Sequence, residues 1–584
     1  LVNPFFGGWD NDAAMNMDAK ICCIPFDEQD CAVLLPDPNW NNLNHDQGRS
    51  GRTGNALGDA WCDLNLVWNY QSPSDRTWYT GATIYNGYVA CSFGDHYVVF
   101  DLVTGTPYYT LSGVPALDPT PEEIGNTLRC APFITSVPSL AGLDVMFVGG
   151  GSEQSIYAYN LATGAMVWKR SFLSVGLGGL YGATRYVPFL FYPALDGATD
   201  VLVWAVDGGK VVAANAATGA LFKTPAYAAG WAVNPVDVNG AGAGGTHKSG
   251  STDGASMFFG TDPGTVPGDV YSVDAATGTI NWAFSGVAGS GPQAVALWTA
   301  FGGIDLPVPA LEQFTSGISY EAGKLYFVSY LGQGEFPAEG AFYRVNAADG
   351  SLVGGAASLA RPGVWFVNAG TPIIDINRVY VPGLSRWAVS PTQQMNAFSK
   401  SSGAVLWAQA GPTNAGYRGD GVLTCEPSGA DDLLLVFDDE GFFRVVNSTD
   451  GDEIFRRRVH SPGGGANDIG MASAVATDAD GDVWVVASDF YGTLMAMEKQ
   501  EGNDRPRLEI LSYRPQVPVE FGSNPAFVQS LGQLLTNTGC TDLTISNLIV
   551  DENPPADVSV IPNFSAQIVD PDPHLQPRFV RAML

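Results

Sequence analysis

Charge is scarce in this 584-residue chain, and basic charge scarcer still: 15% of residues are charged, with 28 Lys and Arg against 59 Asp and Glu. A formal net charge of −31 denies nucleic acid and anionic membranes the positive field that binding to them needs, and excludes both as partners. It names neither an acidic substrate nor a metal, because an acidic surface commonly serves solubility alone. Long apolar runs are missing as well. Without an uninterrupted stretch of about 18 apolar residues, no segment is expected to span a bilayer. The five histidines, at 45, 96, 247, 460 and 574, are scattered and show no HExxH or other ligand spacing. "VNGAGAGGTHKSGSTDG", residues 238 to 254, lacks the spacing of a phosphate loop and reads as a surface loop. The chain also opens at Leu1 with no methionine and no leader, the mark expected of a processed or trimmed product.

Glycine, proline and tryptophan are plentiful, at 70, 38 and 14 residues, the composition of a turn-rich β protein. At this length a large repeat architecture or several domains is expected. One phrase returns along the chain: "VFDLVTGTPYYT" at 99, "AYNLATGAMVWKR" at 158, "AANAATGALFKT" at 213, "SVDAATGTINWAF" at 272, "RVNAADGSLVGG" at 344, "AFSKSSGAVLWAQ" at 397 and "VVNSTDGDEIFRR" at 445. Each reads as a strand, a tight turn whose glycine supplies φ > 0, and a second strand ending on a large aromatic: Trp168, Phe222, Trp282, Trp407 or Phe455. The turn glycines, from Gly105 to Gly451, are 48 to 72 residues apart, close to the length of a four-stranded propeller blade. An aromatic at a fixed distance from each turn predicts wedges between blades, and Trp68, Trp168, Trp282 and Trp407 are assigned that packing role.

An eighth unit, "DGDVWVVASDFYGTLMAME" at 480, has two inner strands and no outer one, whereas "LVWNY", residues 66 to 70, ends near Trp68 with no inner strands before it. Pairing the two would close a ring and leave no sheet edge open. The fold class expected is therefore all-β: an eight-bladed β-propeller over residues 39–505, preceded by an irregular segment, 1–38. Insertions at 112 to 142 and 286 to 322 are expected to decorate its faces and to carry recognition.

The phrase D-A-A-T-G-x-x-x-W, and the lead-in "NWNNLNHDQGRSGRTGNALGDAWCDLNLVWNY" at 39 to 70, resemble the tryptophan-docked repeats of the pyrroloquinoline-quinone (PQQ) type. The resemblance covers roughly residues 40 to 500. It implies a propeller, and it implies function poorly, since such repeats occur in quinoprotein dehydrogenases and in cofactor-free scaffolds. In the quinoprotein alcohol dehydrogenases a calcium ion and an orthoquinone occupy the central funnel, with a carboxylate base and a disulfide between adjacent cysteines. Here the adjacent pair, Cys22-Cys23, precedes the first blade, and no residues match the family's catalytic Asp or calcium-binding set.

The candidate metal site is "TDADGDVW", where Asp478, Asp480 and Asp482 alternate around Gly481; it resembles the calcium loops of integrin-type propellers without their further glycine and acidic ligand. No other cofactor is expected. Eight cysteines, of which Cys22, Cys23 and Cys31 crowd the N-terminal stretch, point to an oxidising compartment, with cross-links expected among these three and distant partners such as Cys62 or Cys130. After about residue 505 the repeat stops. "LTNTGCTDLTISNL" within 506–584 resembles Ig-like modules of the Hydin and choice-of-anchor type, which implies a β-sandwich, one that is short of strands at this length. A strand donated by residues 1 to 38 of a neighbour would complete it and build an assembly or filament.

Together these readings favour a non-catalytic extracellular or cell-surface protein, or one of the periplasm, that binds proteins through a rigid propeller. A periplasmic quinoprotein alcohol dehydrogenase and a carbohydrate-binding surface protein are the alternatives.

Overall fold

The computed structural model describes residues 39, 51–57, 64–73, 81–112, 131–150, 155–171, 189–206, 209–238, 250–261, 269–285, 312–313, 317–333, 336–338, 341–354, 370–382, 394–410, 421–426, 431–437, 442–458, 474–488 and 492–499, and four short strands beyond. Among the described residues every element is a strand, apart from one 3-10 turn at Pro138–Leu140.

The repeat begins with the chemistry of its turn. Asp101 Oδ1 accepts the Thr104 amide at 2.7 Å, and Gly105 N donates to the Asp101 carbonyl at 2.9 Å. Asn160, Asn215 and Asp274 cap their turns in the same way. These bonds curl the chain until one residue must enter the left-handed region. That residue is the glycine in all seven repeats, from Gly105 at φ 67° to Gly451 at φ 83°.

Eight sheets follow in chain order. Blade 1 comprises Thr83–Tyr85, Tyr88–Ser92, His96–Asp101 and Pro107–Ser112, each antiparallel to the next. Blades 2, 3 and 4 begin at Phe133–Val137, Leu190–Tyr192 and Ser251–Thr252, and blades 6 and 7 at Ile373–Ile374 and Val422–Leu423, with four strands apiece. Blade 5 has three, Ser319–Glu321, Lys324–Val328 and Phe342–Asn346, and its fourth is reduced to a bridge between Val345 and Leu352. A small extra sheet, Glu312–Gln313 with Tyr330–Gln333 and Phe336–Ala338, adjoins blade 5.

The expected ring closure is present. Blade 8 joins Ala474–Thr477, Val483–Ser488 and Thr493–Lys499 to Leu64–Gln71, with Leu64 opposite Lys499 and Gln71 opposite Thr493. The expected insertions are narrower than 112 to 142 and 286 to 322, because Phe133–Val137 and Ser319–Glu321 are inner strands of blades 2 and 5. Both are short and partly polar, so neither carries the alternation by which the longer strands were read.

Second and third strands are buried on both faces, as in Leu433–Phe437 and Val483–Ser488. The apolar cores lie between blades. One packs blade 1 with blades 7 and 8, another blades 1 and 2, another blades 2 and 3, and so on round the ring. Polar links tie the inner strands: Thr83 Oγ1 donates to the Pro132 carbonyl at 2.6 Å, and Tyr192 OH to Thr252 Oγ1 at 2.7 Å. Beyond the ring, Leu508–Ile510 pairs with Leu535–Asn537 and Leu543–Ile545 with Ala566–Ile568, both antiparallel. The remainder of 506–584 and nearly all of 1–38, with the sandwich and strand-donation expectations placed there, lie outside the described residues. No helix among the described residues is long and apolar enough to cross a membrane.

Candidate functional site

The seams between blades are built by one device. In six outer strands the register slips by one residue just before the aromatic: Val67 precedes Trp68, Tyr108 Tyr109, Val167 Trp168, Asn281 Trp282, Leu406 Trp407 and Ile454 Phe455. Such a bulge bends the strand and re-aims the next side chain. It also turns the preceding residue outward, which explains why Val67, Tyr108 and Leu406 are 43%, 51% and 49% exposed.

Four of these rings are tryptophans that lie on the turn of the following blade. Trp68 Nε1 donates to the Leu102 carbonyl at 2.7 Å, Trp168 to Ala216 at 2.8 Å, Trp282 to Ala347 at 2.9 Å and Trp407 to Ser448 at 3.0 Å. Each covers a turn glycine so closely that a methyl group there would stand 2.5 to 2.8 Å from the ring, at Gly105, Gly219, Gly350 and Gly451. Three further residues stand in the same place. Tyr109 covers Gly164 and donates to Leu161. Trp231 covers Gly278 and donates to the Ala275 carbonyl, while Phe222, which the repeat phrase puts there, is buried beneath it in the same core. In blade 5, where no fourth strand carries a ring among the described residues, Arg344 lies against Gly403 and its guanidinium donates to the carbonyls of Lys400, Ser401 and Ser402.

The second feature is axial. In a ring of blades the free edge of each inner strand faces the axis, and in blade 7 that edge is taken by the chain itself. Arg52 pairs in parallel with Leu423; Leu423 N donates to the Gly51 carbonyl at 2.9 Å, Thr53 N to Leu423 at 3.0 Å, and Cys425 N to Asn55 at 3.3 Å. Residues 51–57 thus form a strap, with Thr53, Asn55 and Leu57 fully buried. Its end is fastened by a side chain, since Glu426 Oε1 accepts both the Leu57 amide at 3.0 Å and the Thr424 hydroxyl at 2.6 Å.

Around this fastening gather Glu426 and Asp432 of blade 7, Asp375 of blade 6 and Arg52 of the strap. Asp432 Oδ1 accepts the Glu426 amide at 3.0 Å, and Asp375 accepts the Tyr380 hydroxyl at 3.2 Å. Burial, reinforced by the charges of Asp375 and Glu426 and opposed by the Glu426 N–H bond and Arg52, pushes the Asp432 carboxyl up to about 6. None of these four was singled out from the sequence. Their spacing, from 52 to 432, carries no local signal, and only the ring brings them together.

The candidate calcium loop is a capped turn. Asp478 Oδ1 accepts the amides of Asp480 and Asp482, both at 3.0 Å, and Oδ2 accepts Trp484 Nε1 at 3.0 Å. One carboxylate oxygen thus closes the turn and the other holds the indole, and among the described residues no group of three or more His, Cys, Asp or Glu side chains is gathered as a metal site. Asp200, of the similar "PALDGATDVLVW", accepts Ser139 N of blade 2 at 2.7 Å and so links two blades. His96 is a core histidine, stacked on Phe93 with Nδ1 2.5 Å from Asp95 Oδ1. Cys22, Cys23, Cys31, Cys62 and Cys130 lie outside the described residues. Of the cysteines within them, Cys91 is a buried thiol and Cys425, beside the strap, is in a disulfide whose partner is not among the described residues.

Residues 51–53 of the strap thus lie along the axial edge of blade 7, beside the carboxylates of Glu426, Asp432 and Asp375.

No curated protein matches the chain in sequence. In structure it is similar to the quinohemoprotein alcohol dehydrogenase from Comamonas testosteroni, at 13% identity and a TM-score of 0.50, with 82% of this chain and 83% of that one covered. It is also similar to BamB from Moraxella catarrhalis, at 13% identity and a TM-score of 0.47, over 74% of this chain and 99% of that one. At such identity the likeness is one of fold. Residues 244–521, which contain blades 4 to 7 and the inner strands of blade 8, match the family model described as outer membrane protein assembly factor BamB, and the chain folds as a β-propeller of eight blades.

Proposed function

We propose that this protein is a non-catalytic, protein-binding propeller of the cell envelope or its exterior. The observation that carries the reading is the strap: the axial edge of blade 7, in the funnel where a quinoprotein would hold its cofactor, is paired with residues 51–57 and set among buried carboxylates. A chain that occupies part of its own axial edge leaves its outer surfaces for partners, and a rigid ring is suited to present loops to them. The family model matched by residues 244–521 is named for outer membrane protein assembly, which agrees with a binding role in the envelope. The partners are other proteins, including further copies of this chain engaged through residues 1–38 and 506–584.

The test has two arms. Addition of PQQ and Ca²⁺ to the full chain should leave an absorption spectrum equal to the sum of the components, with no alcohol-dependent dye reduction. Cross-linking followed by mass spectrometry in the native cell should recover repeated protein partners joined to the blade-connecting loops. A bound quinone chromophore with turnover would replace this reading by the oxidoreductase one.

A further inference from the structure

We propose that the tyrosine patch of blade 1, formed by Tyr85, Tyr88 and Tyr108 between the carboxylates of Asp101 and Asp144, is the docking site for an arginine- or lysine-bearing segment of a protein partner. The inference rests on the protein-binding reading above and adds the chemistry of the partner.

The rings are joined across the blade. Tyr85 and Tyr88 are opposite each other where Thr83–Tyr85 pairs with Tyr88–Ser92. The Tyr88 ring meets that of Tyr108, on the outer strand, with 5.1 Å between centroids and 49° between planes. A carboxylate stands at each end. Tyr108 OH donates to Asp101 Oδ2 at 2.7 Å, and Tyr85 OH to Asp144 Oδ1 of blade 2 at 3.1 Å. Asp101 is held in turn, since its Oδ1 accepts the amide and the hydroxyl of Thr104 at 2.7 and 2.8 Å. Two of the three rings are thus fixed by hydrogen bonds before a partner arrives, and lose little freedom when it does.

The repeat does not require rings here. Tyr88 stands opposite the turn-capping Asp101, and Tyr108 is the residue at the register slip. The same two positions hold Val145 and Val167 in blade 2, Ser256 and Asn281 in blade 4, and Leu433 and Ile454 in blade 7. In blade 4 that pair also meets, with Asn281 Nδ2 3.4 Å from Ser256 Oγ. Small or aliphatic side chains therefore complete a blade at these positions, whereas blade 1 spends two aromatics and leaves Tyr108 51% exposed. Exposed tyrosines grouped in this way are the residue type on which protein interfaces concentrate their binding energy.

Charge selects the partner. Residues 81–112 and 131–150, which carry the patch, contain Asp95, Asp101 and Asp144 and no Lys or Arg. Among the described residues Asp101 and Asp144 form no ion pair. A cation laid on the rings meets the negative face of each π system and the two carboxylates together, and the net charge of −31 draws it from farther off. Arginine fits best, because its planar guanidinium stacks on a ring while its N–H groups point to carboxylates at the rim. The same carboxylates repel an acidic segment or a phosphate, and a neutral glycan gains nothing from their charge.

The experiment is a fluorescence anisotropy titration of the full chain at about 50 mM NaCl, where surface charges are weakly screened. The probes are a labelled peptide of alternating Gly, Arg and Ser and the same peptide with neutral citrulline in place of Arg. Two variants use residues that the other blades already accept: Tyr88→Val with Tyr108→Val, as in blade 2, and Asp101→Asn, as at the Asn160 and Asn215 turns. The Arg peptide should bind the wild type, and bind the double-valine variant about twofold to thirtyfold more weakly, the span of a cation on aromatic faces. Binding should also weaken in Asp101→Asn and with citrulline, at an unchanged fold by circular dichroism. Equal binding of the Arg peptide by the wild type and the double-valine variant would show general attraction to an acidic surface and overturn the site, as would no binding at all. Equal binding of the two peptides, or capture of a neutral oligosaccharide by the wild type alone with the Arg peptide unbound, would overturn the cationic partner. No native partner enters the titration, so native cross-links confined to other blades would leave the protein-binding function standing while this site fell.

Discussion

Arg344 shows what a seam residue must supply. The site it fills on blade 6 is met elsewhere by an aromatic with one N–H or O–H, and the common requirements are a flat face on the turn glycine and a donor to the turn carbonyls. A guanidinium has both, and burial holds its pKa below the ordinary value without discharging it. Lysine has the charge and lacks the plane. Arg344→Lys is therefore expected to lose at least one of the three carbonyl bonds, at a cost of about 2 kcal/mol, and to lower the thermal midpoint measurably. An unaltered midpoint by calorimetry would show that the turn of blade 6 is held by its own backbone alone.

At the scale of elements, the outer strand of blade 8 differs from the other seven seams. Leu64–Gln71 reaches its partner from more than 400 residues away in sequence, so no short turn returns it to place once it leaves. Trp68, seated on Gly105 of blade 1, holds this strand from the other side. Trp68→Ala and Trp282→Ala remove the same kind of contact, with a stability loss of about 2 to 4 kcal/mol each after allowance for partial exposure. Their local effects should differ: hydrogen exchange in 64–71 should rise more in the first variant than exchange in 280–285 does in the second, because the tight turn at Gly278 keeps that strand nearby. Equal increases would mean that connectivity adds nothing to the seam.

Over the whole molecule the dominant quantity is charge. A net −31 spread over a ring whose interior is apolar makes the surface repel itself, and salt screens that repulsion within a Debye length of about 10 Å at 0.1 M. Raising NaCl from 20 to 300 mM at pH 7.5 is thus expected to raise the midpoint of thermal unfolding. A falling midpoint would indicate that attractive pairs such as Lys210 with Asp237 outweigh the net repulsion.

Sequence by itself determined the all-β class, the blade count and the way the ring closes. Each rests on a signal local in the chain: a capped turn whose glycine must take positive φ, an aromatic at fixed distance, and a last repeat missing the strand that residues 66 to 70 supply. It left the use of a residue open where one type can serve in two ways. Asp478, Asp480 and Asp482 have the spacing of a cation loop, and in the structure Asp478 caps its own turn and accepts the Trp484 indole. Phe222 has the position of a seam aromatic, but Trp231, reached nine residues later, covers Gly278. Only the tertiary structure decided that Arg52, Asp375, Glu426 and Asp432 meet, and that residues 51–57 pair with blade 7. The reason is that local chemistry specifies each blade, whereas the space at the axis is shared by all eight and belongs to no single repeat.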